Sequence, residues 1–140
     1  MGNRLLRRTA SRTASLAGMD AETIVRDFCA AFGRQDLDEI VGFFSDDAVY
    51  HNIPMEPAVG LEAVQATLKM FVAEGGQAEF EIVHLAAHGN AVLTERIDRL
   101  EVGGKPVEIK VMGTFELNEA GQISAWRDYF DMAQLMSQIG

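Results

Sequence analysis

The sequence predicts an α+β fold: a cone-shaped, curved mixed sheet with helices packed on its concave face, enclosing an apolar pocket. Three observations predict it. Apolar residues recur at helical spacing through much of residues 20–74, then switch to strand-like alternation after residue 79. Breaks at His88-Gly89-Asn90, Gly103-Gly104 and Asn118-Glu119-Ala120-Gly121 divide the second part into four strands joined by tight turns. A chain of 140 residues, 48% of them apolar, suits one domain around one core. Helices first and strands afterwards indicate α+β rather than alternating α/β, and the space between such a sheet and its helices is a common ligand position.

The elements follow in order. Asp20 is a good N-cap for a helix over residues 21–35, where Ile24, Val25, Phe28, Ala31 and Phe32 form one stripe. Asp36 caps a short second helix reaching about Phe44, with Leu37, Ile40, Val41 and Phe44 together; Ser45-Asp46-Asp47 breaks the pattern. The aromatic residues of both helices read as core rather than as a cofactor box. Ala48–Ile53 reads as a strand stopped by Pro54, with Ala48, Tyr50 and Asn52 on one face. After a loop over 54–60, a third helix runs to about Glu74 on Leu61, Val64, Leu68 and Phe71 or Val72, and Gly75-Gly76 ends it. Strands follow over 79–87, from about 92 to 102, over 106–117 and over 122–131. Residues 132–140 suit a short closing helix. No internal repeat or inter-domain linker is visible.

Charge divides the chain into an arm over 1–18 and a single domain over 19–140. The arm holds Arg4, Arg7, Arg8 and Arg12 and none of the 21 acidic residues. Its composition loosely matches an organellar transit peptide, but a disordered arm, or a start upstream of a working initiator at Met19, is the plainer reading. The expected location is cytoplasmic. The net charge of −9 argues against nucleic acid as a partner, and no apolar run approaches a membrane span. The single Cys29 excludes an internal disulfide and a cysteine-based zinc site, and reads as a buried, inert thiol.

The informative residues are polar ones on strands that ought to be apolar. Val92, Thr94, Arg96, Asp98 and Leu100 share one face of their strand. Burying that face puts an arginine and an aspartate into the core, which is costly unless both are hydrogen-bonded and charge-compensated. A solvated ion-pair rung fits this strand equally well. On the last strand, Asp128 lies on the same face as Trp126 and Phe130, where a carboxylate is poorly solvated. If three strands converge, Tyr50, Asn52, Arg96, Asp98 and Asp128 make one cluster. Two neighbouring carboxyls resist double ionisation, so one can keep a proton, and with the guanidinium the cluster sums to zero charge. It then holds an acid and a base at one pH, while Tyr50 and Asn52 have the groups to hold a water. Addition of water to a strained ether suits that set.

Tyr50-His51-Asn52-Ile53-Pro54, Glu95-Arg96-Ile97-Asp98 and Trp126-Arg127-Asp128-Tyr129-Phe130-Asp131 are where the sequence resembles the limonene-1,2-epoxide hydrolases, within the nuclear-transport-factor-2-like (SnoaL-like) superfamily. The resemblance covers about residues 20–135. It implies that Asp98 is the general acid on the epoxide oxygen and Asp128 the general base on water. Tyr50 and Asn52 would position that water, and Arg96 would bridge the carboxyls. It implies no metal, no cofactor and no covalent enzyme intermediate. It further implies a homodimer, and a small, mostly apolar epoxide, cyclic or terpene-like, opened to a vicinal diol. Two other readings use the same cone: an isomerase or cyclase, and a non-catalytic module that binds a small ligand.

His51, His84 and His88 are the only histidines. His84 shares an alternating face with Phe80 and Ile82, which gives it a route to the pocket, although a core or rim position is the plainer expectation. His51 points away from Tyr50 and Asn52. No carboxylate spacing supports a metal site from these three. Met55, Met70, Met112, Met132 and Met136 are expected as soft core and pocket packing. Glu79, Glu81, Glu108 and Glu116 read as a solvated sheet face.

Overall fold

The computed structural model describes residues 20–140; the basic arm expected over 1–18 lies outside the described residues. The chain runs α1 (Ala21–Gly33), α2 (Leu37–Val41), β1 (Phe44–Asn52), β2 (Ala58–Val59), α3 (Leu61–Leu68), β3 (Glu79–His88), β4 (Ala91–Val102), β5 (Lys105–Leu117), β6 (Ile123–Tyr129) and α4 (Met132–Ile139). The strands form one curved sheet in the order β2-β1-β6-β5-β4-β3. Every neighbouring pair is antiparallel except β1 and β6, which run parallel. The fold is thus the α+β cone with a mixed sheet.

The helices start where the sequence offers caps. Asp20 accepts from the Thr23 N–H at 2.8 Å and Asp36 from the Glu39 N–H at 3.3 Å, each satisfying an orphan donor of a first turn. The stripe on α1 buries Ile24, Val25, Phe28, Ala31 and Phe32 against the inner sheet face. Phe28 is its centre: Phe43, Phe44, Phe115 and Trp126 surround it edge-on, with centroids 5.4, 5.5, 5.8 and 5.0 Å away. Cys29 is buried beside them, and burial pushes its thiol up to about 12, which leaves it protonated and inert. Gly103 and Gly104 both have positive φ (58° and 82°), as a two-residue hairpin turn between β4 and β5 requires.

Several boundaries differ from expectation. α2 ends at Val41, and β1 already begins at Phe44; the Ser45-Asp46-Asp47 break is an irregularity within the strand, where its register to β6 shifts, not a gap before it. β2, only two residues long, sits in the expected loop and pairs with Val49 and Tyr50. α3 stops at Leu68 instead of near Glu74. Beyond it, Gln35 takes over as an anchor. Its side chain accepts from the Ala73 N–H at 2.8 Å and donates to the Phe32 carbonyl at 2.8 Å. This buried amide ties the irregular stretch after α3 to the end of α1.

Two side-chain expectations fail. His84 does not reach the interior: the register of β3 against β4 shifts between Ile82 and His84, which turns the imidazole outward. It is 83% exposed and pairs with Glu95 at 2.8 Å. Met70, Met112 and Met136 are about half exposed rather than core, and none of the five methionines lines the inner cavity. The solvated glutamate face is as expected, with Arg99 bonded to Glu79, Glu81 and Glu108.

α4 covers an edge. β6 pairs only with the second half of β5, from Met112 onward, so the first half of β5 lacks a strand on that side. Gln134 and Gln138, one helical turn apart, fill the role. Gln138 accepts from the Glu108 N–H and donates to its carbonyl, both at 2.8 Å, and Gln134 accepts from the Lys110 N–H at 3.1 Å. Among the described residues, no helix is long and apolar enough to cross a membrane.

Candidate active site

The face of β4 that carries Arg96 is the buried one. Val92, Thr94, Arg96, Asp98 and Leu100 are all buried, with Arg96 at 1% exposure and Asp98 at 4%. Asp128, also 4% exposed, faces the same interior from β6. The solvated-rung reading of Arg96 and Asp98 therefore drops out, and Asp128 is buried as its aromatic neighbours imply.

Strand pairing explains the convergence. Asn52, Asp128, Gly113 and Thr94 stand directly opposite one another in one row across β1, β6, β5 and β4. The neighbouring row is Tyr50, Trp126, Phe115 and Val92. There the rings of Tyr50 and Trp126 stack at 4.2 Å and those of Trp126 and Phe115 at 5.4 Å. This aromatic row walls off one side of the polar row.

Arg96 lies between the two carboxylates and uses every donor it has. Nε and Nη2 donate to Asp98 Oδ1 and Oδ2 at 3.0 and 2.8 Å. Nη1 and Nη2 donate to Asp128 Oδ1 and Oδ2 at 3.2 and 2.8 Å. The remaining Nη1 hydrogen goes to Thr94 Oγ1 at 3.0 Å. Five N–H groups have five acceptors, the condition for burying a guanidinium. The Phe80 ring covers its face, 4.8 Å from Cζ to centroid. Burial alone would lower the arginine's pKa, but Asp128 and Asp98 outweigh it and hold the group well above the ordinary value.

The two carboxyls are not equivalent. Asp98 receives two hydrogen bonds, both from Arg96. Asp128 receives two from Arg96 and a third from the Trp126 indole N–H at 2.6 Å. Each donor stabilises an anion, and Asp128 has one more of them than Asp98. Burial raises the Asp98 carboxyl to about 6, partly offset by Arg96 and reinforced by the charge of Asp128. Tyr50 is pushed upward by burial and stays a phenol. Its hydroxyl donates to Asn52 Oδ1 at 3.3 Å, which leaves the Asn52 amide hydrogens available to another acceptor.

A small cavity opens in front of the cluster. Tyr50, Asn52, Asp98 and Asp128 line it; Arg96 stands behind the carboxyls and does not. The rest of the lining is apolar: Phe32, Phe71, Phe80, Leu100, Ile109, Val111, Phe130 and Leu135. Two carboxyls, a phenol and an amide thus share one wall of an apolar chamber.

Comparison with known proteins fits this geometry. Residues 19–140 match the limonene-1,2-epoxide hydrolase catalytic domain. The chain belongs to the limonene-1,2-epoxide hydrolase family. It is 35% identical over 115 residues to epoxide hydrolase EphG of Mycobacterium tuberculosis, covering 82% of this chain and 76% of that protein. A solved structure of a limonene-epoxide-hydrolase-like epoxide hydrolase from M. tuberculosis has a TM-score of 0.68 at 35% identity, covering 84% of this chain and 87% of the other. Two further structures share the fold. The epoxide hydrolase/cyclase-like enzyme SalBIII, known from pyran-ring formation in the polyether salinomycin, has a TM-score of 0.73 at 21% identity and covers 81% and 92%. A protein of Shewanella denitrificans described as a SnoaL-like polyketide cyclase has 0.72 at 14%, covering 85% and 96%.

Sequence reasoning missed three members of this neighbourhood. Thr94 was legible only as a face-mate of Arg96, and the Trp126 N–H only as part of an aromatic flank. Gly113 left a clearer signal. It interrupts the apolar alternation from Val107 to Leu117, and a glycine inside a strand often marks a close approach. A Cβ there would overlap Arg96 Nη1 and Asp128 Oδ1. Arg96 on β4 reaches Asp128, two strands away, because the strand between them has no side chain at that point.

Proposed function

We propose that the protein opens a small, mostly apolar epoxide, cyclic or terpene-like, to a vicinal diol in one step of general acid–base catalysis. In this reading residues 19–140 act as one catalytic unit. A water sits on Asp128, Asn52 and Tyr50. Asp128 takes a proton from it as its oxygen forms a bond to an epoxide carbon. The carbon–oxygen bond of the ring breaks, and the released oxygen takes the proton of Asp98. Water and epoxide become diol, Asp98 ends ionised and Asp128 protonated. The charge of the cluster is zero before and after, so no net charge is created in an apolar chamber. Arg96 orients both carboxyls from behind and takes no part in proton transfer.

The observation that carries this reading is the inequality of the carboxyls: two donors on Asp98, three on Asp128, and one guanidinium holding both. The family membership and the 35% identity to a named epoxide hydrolase support the same reaction class. We also propose a homodimer formed through the outer sheet face, where Val83, Leu93, Met112 and Tyr129 are exposed on four adjacent strands.

The test is a single turnover of limonene-1,2-epoxide and other small cyclic epoxides in oxygen-18 water. Label in the first diol supports direct attack by water; its absence from that diol would point to a carboxylate nucleophile. A product isomeric with its substrate would favour an isomerase or cyclase. Asp98→Asn and Asp128→Asn should each lower kcat by about 10³-fold or more. Both should stay folded. An amide in place of the neutral acid leaves the cluster uncharged. In the other variant, Asp98 ionises to balance Arg96. Substantial turnover by either variant would sink the assigned roles.

A further inference from the structure

Four of the five Arg96 donors are spent on the acid and the base; the fifth is held by Thr94. Thr94 is 1% exposed. Its Oγ1 accepts from Arg96 Nη1 at 3.0 Å, and its own proton goes to the Gly113 carbonyl at 3.1 Å. A hydroxyl has one proton to give. With that proton committed to the strand opposite, Oγ1 can only accept from the guanidinium. Thr94 and Gly113 are directly paired across β4 and β5, so the sheet itself sets the direction of this contact. Gly113 also leaves the space that Nη1 occupies.

We propose that Thr94 is a positioning residue for the reaction proposed above: it fixes the rotation of the Arg96 guanidinium and thereby the division of its donors between Asp98 and Asp128. The inference rests on that reading for its catalytic meaning, but the geometry it invokes exists without any substrate. Without the hydroxyl, Nη1 keeps a buried, charged N–H with no acceptor, an arrangement the site cannot tolerate unchanged. The nearest relief is a turn toward Asp128 Oδ1, whose 3.2 Å bond is the longest of the carboxylate contacts. That turn draws Nε and Nη2 away from Asp98. The charged groups acting on Asp98 are Arg96 on its own strand and Asp128 on β6; Tyr50 on β1 and Cys29 on α1 lie near and are kept protonated by burial. Weaker donation from Arg96 therefore makes Asp98 hold its proton more tightly and give it up less readily.

The variants are Thr94→Val, which keeps the shape and removes the acceptor, and Thr94→Ser, which keeps the hydroxyl. Two readouts are needed: kcat and KM across pH on a small cyclic epoxide, and carbon-13 titration of the aspartate carboxyls with no substrate present. Thr94→Val should lower kcat on the order of 10²-fold, the loss typical of a misplaced catalytic group, with KM little changed. The Asp98 titration should move up by about one pH unit, a tenfold change in its ionisation. Thr94→Ser should recover most of both. Unchanged rate and titration in Thr94→Val would overturn the proposal, as would a Thr94→Ser enzyme equally impaired, since the methyl group would then be what matters. If Thr94→Val fails to fold, Thr94→Ser against Thr94→Cys repeats the comparison at near-equal size, because a thiol is a poor acceptor; equal behaviour overturns the proposal. The titration needs no turnover. A wild-type protein that opens no epoxide, with a moved titration in the variant, removes the hydrolase reading and leaves Thr94's role standing. Wild-type turnover with a silent variant removes the role alone.

Discussion

A carboxyl that keeps its proton to about 6 ties both rate and stability to pH. The unfolded chain releases the Asp98 proton near the ordinary value of 3.8, whereas the folded protein holds it to about 6. Between those values the native state binds more protons than the unfolded state. The contribution of Asp98 to stability is therefore complete below the ordinary carboxylate range and lost as pH rises through about 6. In the proposed reaction, the acid is lost over the same interval. We expect kcat/KM to fall as pH rises beyond about 6, along a limb that reflects loss of one proton. A rate profile on a small epoxide checks this, and a flat profile from pH 5 to about 8 would remove Asp98 as the acid. The five residues of the cluster were legible in the sequence because strand alternation puts them on faces where polar groups are expensive. The roles of Thr94 and Trp126 were not, because they depend on which residue of another strand stands opposite, and nothing local encodes that; the break at Gly113 marks a close approach without saying what approaches.

Among the elements, the closing helix is held by chemistry that belongs to strands. Gln134 and Gln138 on α4 satisfy the bare edge of β5 and in doing so seat Leu135 in the cavity wall. Each of these exposed bonds contributes about 1 kcal/mol. Replacing both glutamines by alanine should speed amide exchange of α4 roughly tenfold or more, and leave exchange in β4 and the Arg96 cluster unchanged. Hydrogen-exchange mass spectrometry of the double variant reads this directly, and unchanged α4 protection would show that apolar contacts alone seat the helix. Element boundaries were the less legible part of the fold. The run 45–47 has the composition of a break, yet pairing to β6 continues β1 past it with a shifted register. The stripe beyond Leu68 continues to Phe71, yet the buried amide of Gln35 captures the backbone at Ala73. In both places a long-range contact overrides a sound local pattern.

For the molecule as a whole, the two sheet faces have opposite jobs. The inner face holds the aromatic wall and the cluster of Arg96, Asp98 and Asp128; the outer one leaves Val83, Leu93, Met112 and Tyr129 exposed in a chain whose net charge is −9. A self-complementary two-fold contact would cover that band twice over. Sedimentation velocity should find twice the chain mass, and Leu93→Glu with Met112→Glu should return it to the monomer. A wild-type protein that sediments as a monomer at micromolar concentration would remove the dimer.

The parallel pairing of β1 with β6 has a consequence for how the chain becomes active. Asn52 and Tyr50 come from the first strand, Asp128 and Trp126 from the last, and they meet only through that pairing. Joining ends so distant is entropically expensive and tends to be late and slow in folding. The hairpins of β3, β4, β5 and β6 can form from neighbouring residues and carry Arg96, Asp98 and Asp128 with them. Such a half-built sheet has the arginine and both carboxyls but lacks Tyr50 and Asn52, which arrive only with β1. During refolding, catalytic competence should therefore lag behind the bulk of the secondary structure and emerge only with the last step of assembly.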